Sequence, residues 1–238
     1  MVNLVDCVRN VAADRYAMIK ILILAIPYML AIYSKIDVMQ LSLSIIFGVI
    51  FLAVFFETIR RSCNAEPMLL PSFLMPVRMF LTLGLTIIAS IPSLAILYGL
   101  SFGITELFKV YPQLVEVKTT YYVIAVITNL LGISLFFASV TQFLDTGKVL
   151  DAYNPMKILR ALKTFIVNLI FFVIQDIIFL GIFVVIPIII IYFLANQDVF
   201  NFFLMLYLTM GLIFNYLAFA DYIGQTKKDS ESPYERLF

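Results

Sequence analysis

Long runs without a charged residue divide the chain. Met79–Thr105 lies between Arg78 and Glu106, Thr119–Leu144 between Lys118 and Asp145, and Val199–Ala220 between Asp198 and Asp221. A helix that crosses a bilayer core of about 30 Å needs about 20 apolar residues, so each run predicts a transmembrane helix. Leu41–Phe56 is shorter but reaches back to Val38 across one polar residue, Gln40. Ile21–Tyr33 becomes long enough if Lys20 extends its amine to the interface. A sixth span falls within Thr164–Asn196 and contains Asp176. The expected fold is all-α, a polytopic helical membrane protein with spans at about 17–34, 38–56, 79–103, 120–143, 168–195 and 199–220. These form one domain over 1–225, and the polar tail at 226–238 is expected to be mostly disordered.

Shorter patterns lie between and before the spans. Leu4, Val8, Val11 and Ala12 recur at helical spacing among Asp6, Arg9, Asp14 and Arg15, which predicts an amphipathic helix at about 3–15 on the inner membrane surface. The start of the chain has no small-residue cleavage site, so no cleavable signal is expected. In the loop ETIRRSCNAEPMLLPSFLMPVR, Pro67, Pro71 and Pro76 forbid a continuous helix, although Pro67 is placed to start a short helical piece. Met68, Leu69, Leu70, Phe73 and Leu74 would then face either a protein partner or the membrane edge. In LDTGKVLDAYNPMKILRALKTF, Thr146 and Gly147 support a turn, Asn154 is a cap, and Pro155 fits the first helical position. Met156, Leu159, Leu162 and Ile166 then share one face bordered by Lys157, Arg160 and Lys163.

Composition supports the membrane reading. The chain is 63% hydrophobic and 13% charged, with mean hydropathy +1.05, and a soluble domain has about 25% charged residues. The net charge of +1 hides a strong sidedness. With both termini in the cytoplasm, thirteen of sixteen basic residues fall on the inner side, and only Lys35, Lys109 and Lys118 fall outside. The expected location is a prokaryotic cytoplasmic (inner) membrane. Anionic lipid at the cytoplasmic face is the expected partner of the basic segments, with Arg60, Arg61, Glu66, Lys157, Arg160 and Lys163 as docking or lipid contacts.

Histidine is absent, which excludes histidine-based catalysis, zinc sites and proton switches of that kind. Cys7 and Cys63 are far apart and are read as unpaired thiols in a reducing compartment. No nucleophile–base pair, metal cluster or phosphate-binding glycine loop is present, so no enzyme activity, no cofactor and no nucleic acid partner are expected.

The polar residues within spans are the candidate chemistry. Asp176 is the acid deepest in any span, beside Gln175, with Asn168 near the same face and Asn129, Asn201 and Asn215 as candidate partners. Three readings stand open: a proton or cation site, a hydrogen-bonded packing residue, or an interfacial acid if the span begins near Ile177. Ser90 and Ser93 flank Pro92 and can take backbone groups that the proline frees. Gly99 and Gly103 have the spacing of a close helix contact, either to a second copy or within the bundle.

A repeat at an offset of 88 aligns Phe55, Glu57, Thr58, Arg60, Pro67, Met68 and Leu74 with Phe143, Asp145, Thr146, Lys148, Pro155, Met156 and Leu162. It pairs Asp176 with Ile88, where no acid is needed.

The stretches NVAADRYAMIKIL, FETIRRSCNAEP and FLDTGKVLDAYNPMKILRAL resemble an uncharacterised prokaryotic six-span membrane family, a domain of unknown function. The glycine–aromatic pair expected at the end of its second span is missing, since Gly48 lies too early. The resemblance implies architecture and carries no activity. The order of entry helix, six spans and proline-broken loop also resembles the permease half of ABC-type exporters, which implies a separate cytoplasmic ATPase. Two functions follow: a non-enzymatic scaffold or assembly subunit with protein partners or a second copy, or a transport protein.

Overall fold

The computed structural model describes residues 1–33, 37–72, 76–111, 118–185, 187–189 and 198–231. Its elements are α1 (Leu4–Ala13), α2 (Ala17–Tyr33), α3 (Asp37–Cys63), α4 (Pro76–Val110), α5 (Lys118–Thr146), a 3-10 turn (Val149–Tyr153), α6 (Pro155–Leu180), a π turn (Gly181–Val185) and α7 (Asp198–Ser230). The described residues contain no strand. Helices α3 to α7 are each long and apolar enough to cross a membrane, with α6 continuing to Ile189. Helix α2 makes a sixth span when joined to α1 across a 92° bend. The protein is an all-α polytopic membrane protein.

Local sequence explains where the helices start and stop. Asn3 accepts the amide of Val5 and starts α1. Tyr16, at φ 63°, turns the chain between α1 and α2. A non-glycine residue in that left-handed region costs about 1–2 kcal/mol, which the contacts around the corner offset. Gly147, at φ 71°, closes α5, a conformation glycine adopts without that cost. Asn154 accepts from the amides of Met156 and Lys157 and starts α6, with Pro155 in the first turn, as its sequence predicts.

The helices form a ring in which each packs on its neighbour and α7 closes against α2. Helices α3, α5 and α7 also touch one another across the interior. Phe219 on α7 is the aromatic hub: its ring lies 4.5 Å from Phe172, 5.6 Å from Phe137 and 6.1 Å from Phe55. Helix α7 also approaches α3 closely at Gly224, where a β-carbon would stand 3.0 Å from the carbonyl oxygen of Ile59 and overlap Ser62. Gly99 and Gly103 instead have open space around them, so neither mediates close packing within the described bundle. Gly132, against Leu97, takes that role between α4 and α5.

Several expected boundaries move. The basic amphipathic stretch after Pro155 and the sixth span are one continuous helix, because nothing between Leu162 and Phe171 breaks it. Part of the expected span, 190–195, lies outside the described residues, as does Lys35. Helix α7 runs to Ser230, so the boundary at 225 is corrected: Thr226 and Lys227 are buried and ordered by partners on other helices. Residues 232–238 of the expected tail lie outside the described residues.

The face of α1 formed by Leu4, Cys7 and Val11 packs against the protein, chiefly α7, and does not lie open on a membrane surface. Pro67 starts no helix: residues 66–72 are irregular, while Pro76 opens α4. The offset of 88 therefore pairs a loop proline with the helix-starting Pro155, and the repeat does not hold in register.

Candidate functional site

Charged and polar side chains gather at one end of the bundle, here the basic end. Helices α3, α5 and α7 run toward it and each carries an acid in its last turns: Glu57, Asp145 and Asp221. Each acid is tied to another segment.

Glu57 is fully buried. Its Oε2 accepts from Arg60 Nε at 2.9 Å and from Thr82 Oγ1 of α4 at 2.9 Å, and its Oε1 accepts from Arg60 Nη2 at 2.8 Å and Arg61 Nε at 3.2 Å. Glu66 accepts from Arg60 at 2.6 Å, and Arg78 lies 3.5 Å from Glu66 and 3.6 Å from Glu57. Arg61 also donates to the carbonyl of Met68 at 3.1 Å. Arg60, Arg61 and Glu66, expected as docking or lipid contacts, are thus engaged with one another within the chain. A buried carboxylate needs this many donors to offset its lost hydration.

The following loop is held just as firmly. Asp14 accepts the amide of Leu70 at 2.9 Å and pairs with Lys20 at 2.6 Å, and Lys20 donates to the carbonyl of Leu70 at 3.0 Å. Leu69 and Leu70 are buried and Met68 stays exposed, so among the described residues of the expected apolar surface Met68 is the exposed one. Phe73 and Leu74 lie outside the described residues.

Asp221 is buried too, and accepts from Ser62 Oγ at 2.5 Å, Gln225 Nε2 at 2.7 Å and Asn10 Nδ2 at 3.0 Å. It borders a cavity of about 600 Å³ lined by Asn10, Asp14, Arg61, Glu66 and Lys228 among others. Asp145 pairs with the buried Lys227 at 3.4 Å, and Lys227 also pairs with Glu231. Outside the bundle, the Lys157 amine and Thr146 hold the Asp151 carboxyl below the usual carboxylate range, with Lys157 2.9 Å away. Arg160 and Lys163 are exposed on the same helix.

The polar residues inside the spans separate into pairs. Asp176 Oδ1 accepts from Asn215 Nδ2 at 2.9 Å. Gln175 Oε1 accepts the amide of Leu4 at 2.8 Å, joining α6 to the start of α1. Asn168 donates to Thr226 at 3.4 Å, and its carbonyl accepts from Tyr222 at 2.8 Å. Asn129 bonds within its own helix, to the carbonyl of Ala125 at 2.8 Å. The side chain of Asn201 lies outside the described residues. The five described candidates therefore do not form one site.

No protein-family model, curated protein or solved structure matches the chain. Its chemistry has to be read from its own residues. Sequence reasoning matched Glu57 with Asp145 in the repeat and took Asp221 as a span boundary, but placed none of the three in a site because each ends an apolar run. The available signal was their recurrence at the same end of alternate spans.

Proposed function

We propose that the chain is a non-enzymatic integral membrane subunit that organises a protein partner at its basic end. The observation that carries this reading is the cavity of about 600 Å³ at that end, whose lining mixes Asp14, Glu66, Asp221 and Asp229 with Arg61 and Lys228. Four segments form it: α1 with the following Asp14, the end of α3, the loop after it, and the end of α7. Charged groups held in place by neighbours suit a charged peptide segment better than a mobile surface does. The excess of positive charge at this end supports a cytoplasmic orientation by the positive-inside rule, and anionic lipid around its rim belongs to the same reading.

A photo-crosslinking side chain at Ala65, on the cavity wall, tests the reading in native membranes. A discrete adduct with a second protein or a second copy is expected. Adducts with lipid alone, from a chain that purifies without partners, would overturn it.

Transport is the second reading. It is favoured by the loop at 66–72, which is bonded to the corner between α1 and α2 and would pass force from a separate ATPase into the bundle. An ATPase gene beside this one, with substrate flux in liposomes, would support it. Absence of both counts against it.

A further inference from the structure

Asn215 is 8% exposed, and its two polar atoms differ in their surroundings. Nδ2 donates to Asp176 Oδ1 at 2.9 Å, whereas Oδ1 is buried and no donor among the described residues reaches it. A primary amide presents an N–H and a C=O side by side. A neutral carboxylic acid presents the matching O–H and C=O, so the two can join through a pair of hydrogen bonds. A carboxylate offers only acceptors. It satisfies the amide N–H and leaves the amide oxygen facing an anionic oxygen, with the full penalty of a buried acceptor unmet.

The setting is apolar. Asn215 lies six positions inward of Asp221, about 9 Å along the helix at 1.5 Å per residue. Helix α6 has no charged residue between Lys163 and Asp176. The nearest charge on α7, Asp221, is engaged by Ser62, Gln225 and Asn10. On α1, Asp6 pairs with Arg9 and Cys7 is buried, while the Leu4 amide meets the neighbouring Gln175. Tyr222 donates to the Asn168 carbonyl, and Tyr207 to the Phe183 carbonyl beyond the pair. Asn215 is the hydrogen-bond partner that the described residues give Asp176. A carboxylate here would have no compensating cation among the described residues.

We infer that Asp176 and Asn215 form a proton-binding site within the membrane, in which the neutral acid donates its O–H to Asn215 Oδ1 while accepting from Nδ2. Proton release breaks the acid O–H bond, passes the proton to water, and removes one of two hydrogen bonds between α6 and α7. The weakened contact lies next to the π turn Gly181–Val185 and beside an apolar cavity of about 330 Å³ lined by Phe179, Phe183, Gly211 and Phe214. The site thus couples proton occupancy to the packing of these two spans. A packing role alone would need no ionisable group.

Infrared difference spectroscopy of the full chain in lipid nanodiscs at neutral pH tests this. Wild type is expected to show the carbonyl band of a protonated carboxylic acid, shifting in D2O and lost in Asp176→Asn. Asp176→Asn itself should fold, because two amides form the same pair of bonds. Asn215→Leu should keep the band and move it to higher frequency, as an acid without a partner. Where leucine prevents folding, Asn215→Gln provides the same readout by displacing the amide. A carboxylate band lost in Asp176→Asn, with no acid band, overturns the protonation, and a band indifferent to Asn215 overturns the pairing.

Discussion

The hydroxyl of Tyr153 lies 2.8 Å from the carbonyl oxygen of Ile88, the group that Pro92 leaves without its helical donor. The same relationship recurs where Tyr207 donates at 2.9 Å to Phe183, four residues before Pro187. Ser90 and Ser93, the expected partners, bond instead to Ile87 at 2.7 Å and Ser90 at 2.8 Å. Each proline therefore creates an acceptor that a tyrosine from another segment fills, and the break in one helix becomes a tie to its neighbour.

Tyr153→Phe is expected to destabilise the protein by about 1 kcal/mol, the net worth of one hydrogen bond. In a Pro92→Ala background the restored backbone N–H takes the Ile88 carbonyl, and the cost should fall toward zero. A double-mutant cycle of reversible unfolding in detergent micelles measures this. Equal costs in both backgrounds would contradict the pairing.

Glu57→Ala should cost about 3–5 kcal/mol, because it leaves the half-buried Arg60 and Arg61 without their shared carboxylate. Arg78→Ala should cost no more than about 1 kcal/mol, since that side chain is 55% exposed and sits at the rim of the cluster. Unfolding midpoints of the two variants, compared at equal ionic strength, decide whether the cluster is centred on Glu57.

Much of the helical pattern was legible because a membrane simplifies it: charge interrupts apolar runs, and each run becomes a helix. The Asn154–Pro155 start was legible because cap chemistry is local. The partners of Asp176 were not. Asn129, Asn201 and Asn215 are equivalent in sequence, and only the pairing of α6 with α7 selects Asn215. Glu57 and Asp221 were placed in no site for a different reason: an acid that ends a span reads as a contact with water, yet both are enclosed by residues brought from other segments. The extension of α7 past residue 225 has the same origin, since Lys227 is held by Asp145 from a distant part of the chain.

Gly224→Leu should destabilise by about 1–3 kcal/mol, because the added side chain meets Ser62 and the Ile59 carbonyl of α3. Gly99→Ala should not destabilise, because its added methyl enters open space and alanine favours a helix interior by about 0.5–1 kcal/mol. Thermal unfolding of the isolated chain checks both. Loss of a dimer in Gly99→Ala without loss of stability would assign that face to a second copy.

The thiols provide a probe of how firmly the basic end is closed. Cys7 faces α7 and Cys63 ends α3, and both are buried and free. A thiol reagent must reach the sulfur, and burial in these surroundings denies access as well as disfavouring the thiolate. Neither should label with a maleimide at neutral pH in native membranes, while both should label in denaturant. Glu57→Ala loosens the turn after Cys63 by removing the buried carboxylate that ties Arg60 and Arg61 to α3 and α4, so labelling of Cys63 should rise several-fold. Cys7, anchored through α1 to Gln175 and Asp221, should remain protected. Mass spectrometry of the labelled chain resolves the two sites. Equal exposure of both thiols in that variant would show that the ionic cluster and the α1 anchor open as one unit.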